Sequence, residues 1–290
     1  MRTLLIFLLT LAITTVVQGQ SFEQKIALKA CEYLDSIDSY KILQDSIQPS
    51  IIAAMAEVTK EGTPEERKKI NTVEGIRGTL KTAYEILPGY CYTVRRLMIE
   101  DKESKFYKRS DNQRANLHFD EGNKFMENGE YKNAIKEFKK AVKNDPQYVF
   151  ALDHLAISHR RMENFKKAIE YYKKSLEVFP EGNVALLNIA VSYSLVGDDK
   201  NSIQSYEQLK FLYPDNPEGY FGLAKMLFIT EEYENALDNL FTAHRMYIES
   251  QSDYAKDSEK LLSLMFAKLK KLNKTELLNR KANEHNITIE

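Results

Sequence analysis

The chain has 290 residues, 43% of them apolar, which is enough for one large or two ordinary cores and argues against disorder. Its 41 Lys and Arg stand against 42 Asp and Glu, a formal net charge of −1, so it has no basic field to hold nucleic acid and no acidic tail. Charge therefore names no partner.

At the amino end, Arg2 precedes a run from Leu4 to Val17 without an ionisable group, followed by Val17-Gln18-Gly19. This order of charge, apolar run and small residue predicts a secretory signal peptide over 1–19, cleaved before Gln20. The run is about 14 residues long where a membrane helix needs about 20, so no transmembrane segment is expected after cleavage. An exported protein, periplasmic or secreted, is the expectation.

Residues 20–100 read as a small helical domain. Phe22, Ile26, Ala30, Tyr33, Leu34 and Ile37 recur at steps of three and four, which predicts a first helix over 21–37. Pro49 predicts a break in the apolar stretch Ile42–Val58, with a second helix from about Ser50. Thr63-Pro64-Glu65-Glu66 supplies an N-cap, a first-turn proline and a capping-box glutamate, so a third helix starts there and stops before Pro88-Gly89, with Gly75 and Gly78 as points where it can split. Tyr90–Ile99 reads as a short fourth helix. Cys31 and Cys91 are the two cysteines of the chain; in an exported protein they predict a structural disulfide, the alternative being two buried free thiols. Residues 101–114 are polar and charged, a solvated connector or an exposed helical extension.

Beyond residue 114 the pattern becomes periodic. Pro146, Pro180 and Pro214 are 34 residues apart, and the same step links Gly122, Ala156, Ala190 and Ala224. Ala134, Ala168, Ser202 and Ala236 form a third series, all small; Phe138, Tyr172, Tyr206 and Leu240 form a fourth, all large. Small side chains let two antiparallel helices approach closely, large ones fill the space around them, and each proline ends a hairpin. A hairpin of this kind leaves one apolar side bare, so it must stack on neighbours.

These four phased series resemble the tetratricopeptide repeat family, with repeats at 115–148, 149–182, 183–216 and 217–250, the last lacking the closing proline because Ile248 stands there. Residues 251–290 would supply a C-terminal cap helix, read over Tyr254–Leu272, and a tail. The resemblance implies an all-α chain, a right-handed superhelix of hairpins behind the small helical domain. It further implies a partner groove on helix A at repeat positions 5, 9 and 12: Phe119, Asn123 and Met126; Asp153, Ile157 and Arg160; Leu187, Val191 and Ser194; Phe221, Lys225 and Phe228. Such a face, apolar with two cations, would take an amphipathic helix or an apolar peptide, or else be filled by the protein itself.

No metal or cofactor is expected, because the five histidines show no ligand spacing and no glycine-rich phosphate loop occurs. Asp153, His154 and Ser158 have residue types found in hydrolases but lack a nucleophile elbow. The expectation is a non-catalytic adaptor of a bacterial envelope or secreted space. The alternatives are a homo-oligomer with a self-filled groove, and repeats that position an unrecognised amino-terminal module.

Overall fold

The computed structural model describes residues 20–287, and every regular element among them is an α-helix. The expected signal peptide lies outside the described residues. The chain divides into two compact units, one ending at Leu97 and one beginning at Met98.

In the first unit, α1 (Phe22–Leu34) opens on a capping box in which the Ser21 and Gln24 side chains each accept from the other residue's amide. α2 (Tyr40–Glu61) runs straight through Pro49, contrary to the expected break. Proline removes one amide donor, but Leu43, Ile47, Ile51 and Ala54 continue one buried stripe across it. The stripe outweighs the missing bond. α3 (Pro64–Lys69) starts with the predicted capping box yet lasts only six residues. The split falls before Gly75 rather than at it, because Thr72 caps α4 (Val73–Tyr90), its hydroxyl accepting from the Gly75 amide at 3.0 Å. A Cβ on Gly75 would stand 1.8 Å from the Lys69 carbonyl oxygen, so glycine permits the close corner between α3 and α4. α4 carries on past Pro88 to Tyr90, and α5 (Tyr92–Phe106) extends beyond the expected end at Ile99. Cys31 and Cys91 are joined by a disulfide, Cα to Cα 5.3 Å, closing 60 residues of chain.

The second unit contains four helix pairs: α6 (Gln113–Glu127) with α7 (Tyr131–Asn144), α8 (Val149–Arg161) with α9 (Phe165–Val178), α10 (Asn183–Leu195) with α11 (Asp199–Leu212), and α12 (Pro217–Ile229) with α13 (Tyr233–Glu249). The small residues of the phased series sit in the core, and their size has a measurable reason. A Cβ on Gly122 would lie 2.5 Å from the Phe138 ring. Ser202 is fully buried and donates its hydroxyl to the Ala190 carbonyl at 2.9 Å, so it satisfies itself across the hairpin where the other repeats have alanine. The turn of each hairpin uses the same left-handed residue, Gly129, Glu163, Gly197 and Glu231, with φ of 76°, 58°, 76° and 64°.

With Ile248 in place of proline, α13 runs about two and a half turns beyond the Leu240 core position to Glu249. α14 (Ala255–Lys271) is the expected cap. The tail holds a further helix, α15 (Thr275–Glu284), whose Leu278 and Ala282 join Leu237, Phe241, Met265 and Leu269 in one core.

Candidate functional site

Helices α6, α8, α10 and α12 are the first members of their pairs, and positions 5, 9, 12 and 13 of each fall on one face because they are three or four residues apart. Of the expected groove residues, Phe119 and Asp153 are buried; Asn123, Met126, Ile157, Arg160, Leu187, Val191, Phe221 and Phe228 are half-buried; Lys225 is exposed. Phe119 and Asp153 are therefore closed to a partner and are corrected from groove to core. The ring of Phe119 packs against Phe138, Tyr148 and Phe150, with centroids 5.8, 5.0 and 6.1 Å away.

The chain's own segment from Lys102 to Ser110 lies against the hairpin ends of repeats 1 to 3 and, through Tyr107, against Asp153. Phe106 stacks on Phe179 at 5.2 Å, and Tyr107 stacks on Phe150 and meets the edge of Phe179, both at 5.5 Å. The Tyr107 hydroxyl accepts from the Val184 amide at 3.3 Å, Lys102 pairs with Glu181, and Glu103 accepts from Asn183 and Tyr213. Ser110 donates to Asp145. Of the two expectations for 101–114, the helical extension holds as far as Phe106, and the segment is docked on the repeats as a strap rather than solvated.

Asp153 lies beneath that strap. Neither of its carboxylate oxygens has a hydrogen-bond partner among the described residues. Burial pushes its pKa up to about 7 against the opposing pull of the nearby Ser175 and Tyr107 hydroxyls. His154 points its Nδ1 to the Phe150 carbonyl at 2.8 Å, and the Ser158 hydroxyl is buried without a partner. The three residues do not assemble into a proton relay.

The face at repeats 3 and 4 is different. On α10, Leu187, Val191 and Leu195 make one stripe at steps of four, and on α12 Phe221, Phe228 and Ile229 continue it beside Lys225. Leu195 is 52% exposed and Ile229 59%. Reading positions 5, 9 and 12 missed these two, although their spacing from Val191 and Lys225 put them on the same face. Lys225 stands over the Phe221 ring, 5.8 Å from its centroid. Arg160 is turned toward Tyr172, so Lys225 is the cation better placed for an incoming carboxylate.

Cys31, Cys91 and Asp35 bring their ligand atoms within 4.8 Å of one another, but both sulfurs are committed to the disulfide. Among the described residues no helix is long and apolar enough to cross a membrane.

A profile of the tetratricopeptide repeat matches residues 115–148 and 149–181. No curated protein matches the chain significantly. Among solved structures it is similar to a tetratricopeptide repeat protein from Parabacteroides merdae, 18% identical over 59% of this chain and 67% of that one, with a TM-score of 0.48. It is also similar to MamA from Desulfovibrio magneticus, at 15% identity over 58% of this chain and 98% of that one and a TM-score of 0.45. The first such repeat domain of Spaghetti, solved with an HSP90 peptide, is 21% identical over 42% of this chain and 96% of that one, with a TM-score of 0.41.

Proposed function

We propose that this tetratricopeptide repeat protein is an exported, non-catalytic scaffold that holds a segment of a partner protein on the first-helix face of repeats 3 and 4. The family's repeats are protein-interaction modules. The observation that carries the assignment is the apolar stripe of half-buried Leu187, Val191, Phe221 and Phe228 with exposed Leu195 and Ile229 beside the exposed Lys225. Apolar side chains aligned over two helices are costly to leave in water, at about 25 cal/mol per Å². The same spacing suits an amphipathic helix or an extended apolar peptide carrying a carboxylate for Lys225. The Cys31–Cys91 disulfide fits an oxidising compartment such as a bacterial envelope or the secreted space, as does the leader-like order of residues 1–19.

The experiment is photocrosslinking in intact cells from Val191 and Phe221, read by mass spectrometry. A partner recovered by the parent chain and lost on Val191→Ser with Phe221→Ser, at unchanged helicity, supports the assignment. Recovery of this chain alone would transfer it to self-association.

A further inference from the structure

We propose that the junction of repeats 2 and 3 is a recognition subsite for a tyrosine at the end of a helical segment. In this reading Tyr107 fills it in cis, and residues 102–110 are a displaceable internal ligand for which a partner segment of the same chemistry competes. The inference deepens the reading above by naming what this part of the face recognises. Its test uses a defined peptide and does not depend on capture at repeats 3 and 4.

The subsite is shaped for its occupant. Gly182 has an ordinary φ of −58°, so its backbone conformation does not require glycine. A Cβ there would come within 3.1 Å of the Tyr107 hydroxyl and 3.2 Å of the Phe179 carbonyl oxygen, so the missing side chain makes room for both the hairpin end and the tyrosine. The corresponding positions of repeats 1 and 3 hold Tyr148 and Asn216. Missing side-chain volume at one repeat end is the space the tyrosine uses. The ring lies between Phe150 and Phe179, and its hydroxyl reaches the Val184 amide. An aromatic body and a polar tip are therefore both read.

The docking is also reversible in character. Lys102 with Glu181 and Glu103 with Asn183 and Tyr213 are polar contacts at the rim, of a kind whose net worth is modest because water competes for them. Asp153 beside the ring is 2% exposed, a desolvation cost that undocking relieves by returning it to water while giving up the Tyr107 hydroxyl next to it. Covalent attachment through a few residues gives the strap an effective concentration on the order of millimolar, which explains why a weakly held ligand occupies the site and why a free competitor starts at a disadvantage.

The test uses the full chain and a synthetic peptide of residues 98–111. Binding is followed by calorimetry to the parent chain and to a variant carrying Phe106→Ala and Tyr107→Ala. The variant is expected to bind the peptide at least tenfold more tightly than the parent, and adding Gly182→Leu is expected to abolish that binding. A folded double variant that ignores the peptide, or binding indifferent to Gly182→Leu, overturns the proposal. Hydrogen exchange of the unmodified chain decides independently of whether the variant folds. Amides 103–108 are expected to exchange faster than those of α8 and α9, and equal protection would make the strap an integral element and overturn the proposal.

Discussion

Among the acidic side chains of the repeats, Asp153 is the one whose pKa burial raises. It is 2% exposed, and its folded pKa stands at about 7 against an ordinary 3.8. Between those values the folded state holds a proton that the unfolded state has released, so stability falls as pH rises from about 4 to 7 and stays lowered above it. Asp153→Asn removes the titration. It should raise stability at pH 8 by on the order of 2–4 kcal/mol and change it little at pH 4, as read by urea midpoints at the two pH values. Equal effects at both would show that Asp153 is hydrated when folded. Gly222 makes a steric prediction of the same kind. A Cβ there would fall 2.0 Å from the Tyr206 ring, which belongs to the preceding repeat. Gly222→Val should therefore cost about 1–3 kcal/mol by forcing repeats 3 and 4 apart, a loss visible as a lower thermal midpoint.

Within the elements, the hairpin turns repeat one backbone conformation with two kinds of residue. Gly129 and Gly197 adopt it freely, while Glu163 and Glu231 hold φ of 58° and 64° with a side chain attached. A non-glycine residue in that region is strained by roughly 1–2 kcal/mol, partly offset by the greater unfolded-state freedom of glycine. Glu163→Gly and Glu231→Gly should each stabilise by about 0.5–1 kcal/mol, checked by chemical denaturation. A glycine such as Gly129 is itself a turn signal, whereas a glutamate at the equivalent place carries none, because the turn is imposed by the packing of the flanking helices. The same imbalance explains Pro49. Pro49 and Pro88 are each a local break signal; Pro49 lies inside a helix whose buried residues Ile51, Ala54 and Met55 continue past it, whereas α4 has its last buried residue at Leu87 and ends at Tyr90, just past Pro88.

For the molecule as a whole, the two units are held by different means. The first unit has its ends tied by a disulfide spanning 60 residues, and loop-closure entropy assigns that bond about 4 kcal/mol. Reduction, or Cys31→Ser with Cys91→Ser, should lower the denaturation midpoint of this unit, followed through the exchange of α1 and α4 amides. An unchanged midpoint would mean that helix packing alone suffices. The second unit is an open stack and needs its ends covered. Met265, Leu269, Leu278 and Ala282 of α14 and α15 cover Leu237 and Phe241 of the last hairpin, and Lys281 sits 2.9 Å from Asp238. A chain stopped at residue 250 should aggregate and lose helicity beyond the residues removed, as circular dichroism and light scattering would show.

Much of this was readable in the amino-acid order. Gly122, Ala134, Phe138 and their counterparts at steps of 34 define a hairpin whose contacts are local, so sequence spacing maps directly onto packing. The Cys31–Cys91 pairing was readable too, since the chain has only two cysteines to join. Three outcomes depended on the tertiary fold. Residues 102–110 read as a solvated connector because their charge is evident while Phe106 and Tyr107 are a short apolar signal. Asp153 read as a groove residue because its repeat position is usually open, and it is closed here by a segment more than 40 residues earlier in the chain. The exposure of Leu195 and Ile229 at repeats 3 and 4 is set by the packing of α10 and α12. Contacts between residues close in sequence leave a periodic imprint, whereas contacts between distant segments leave none until the chain is folded.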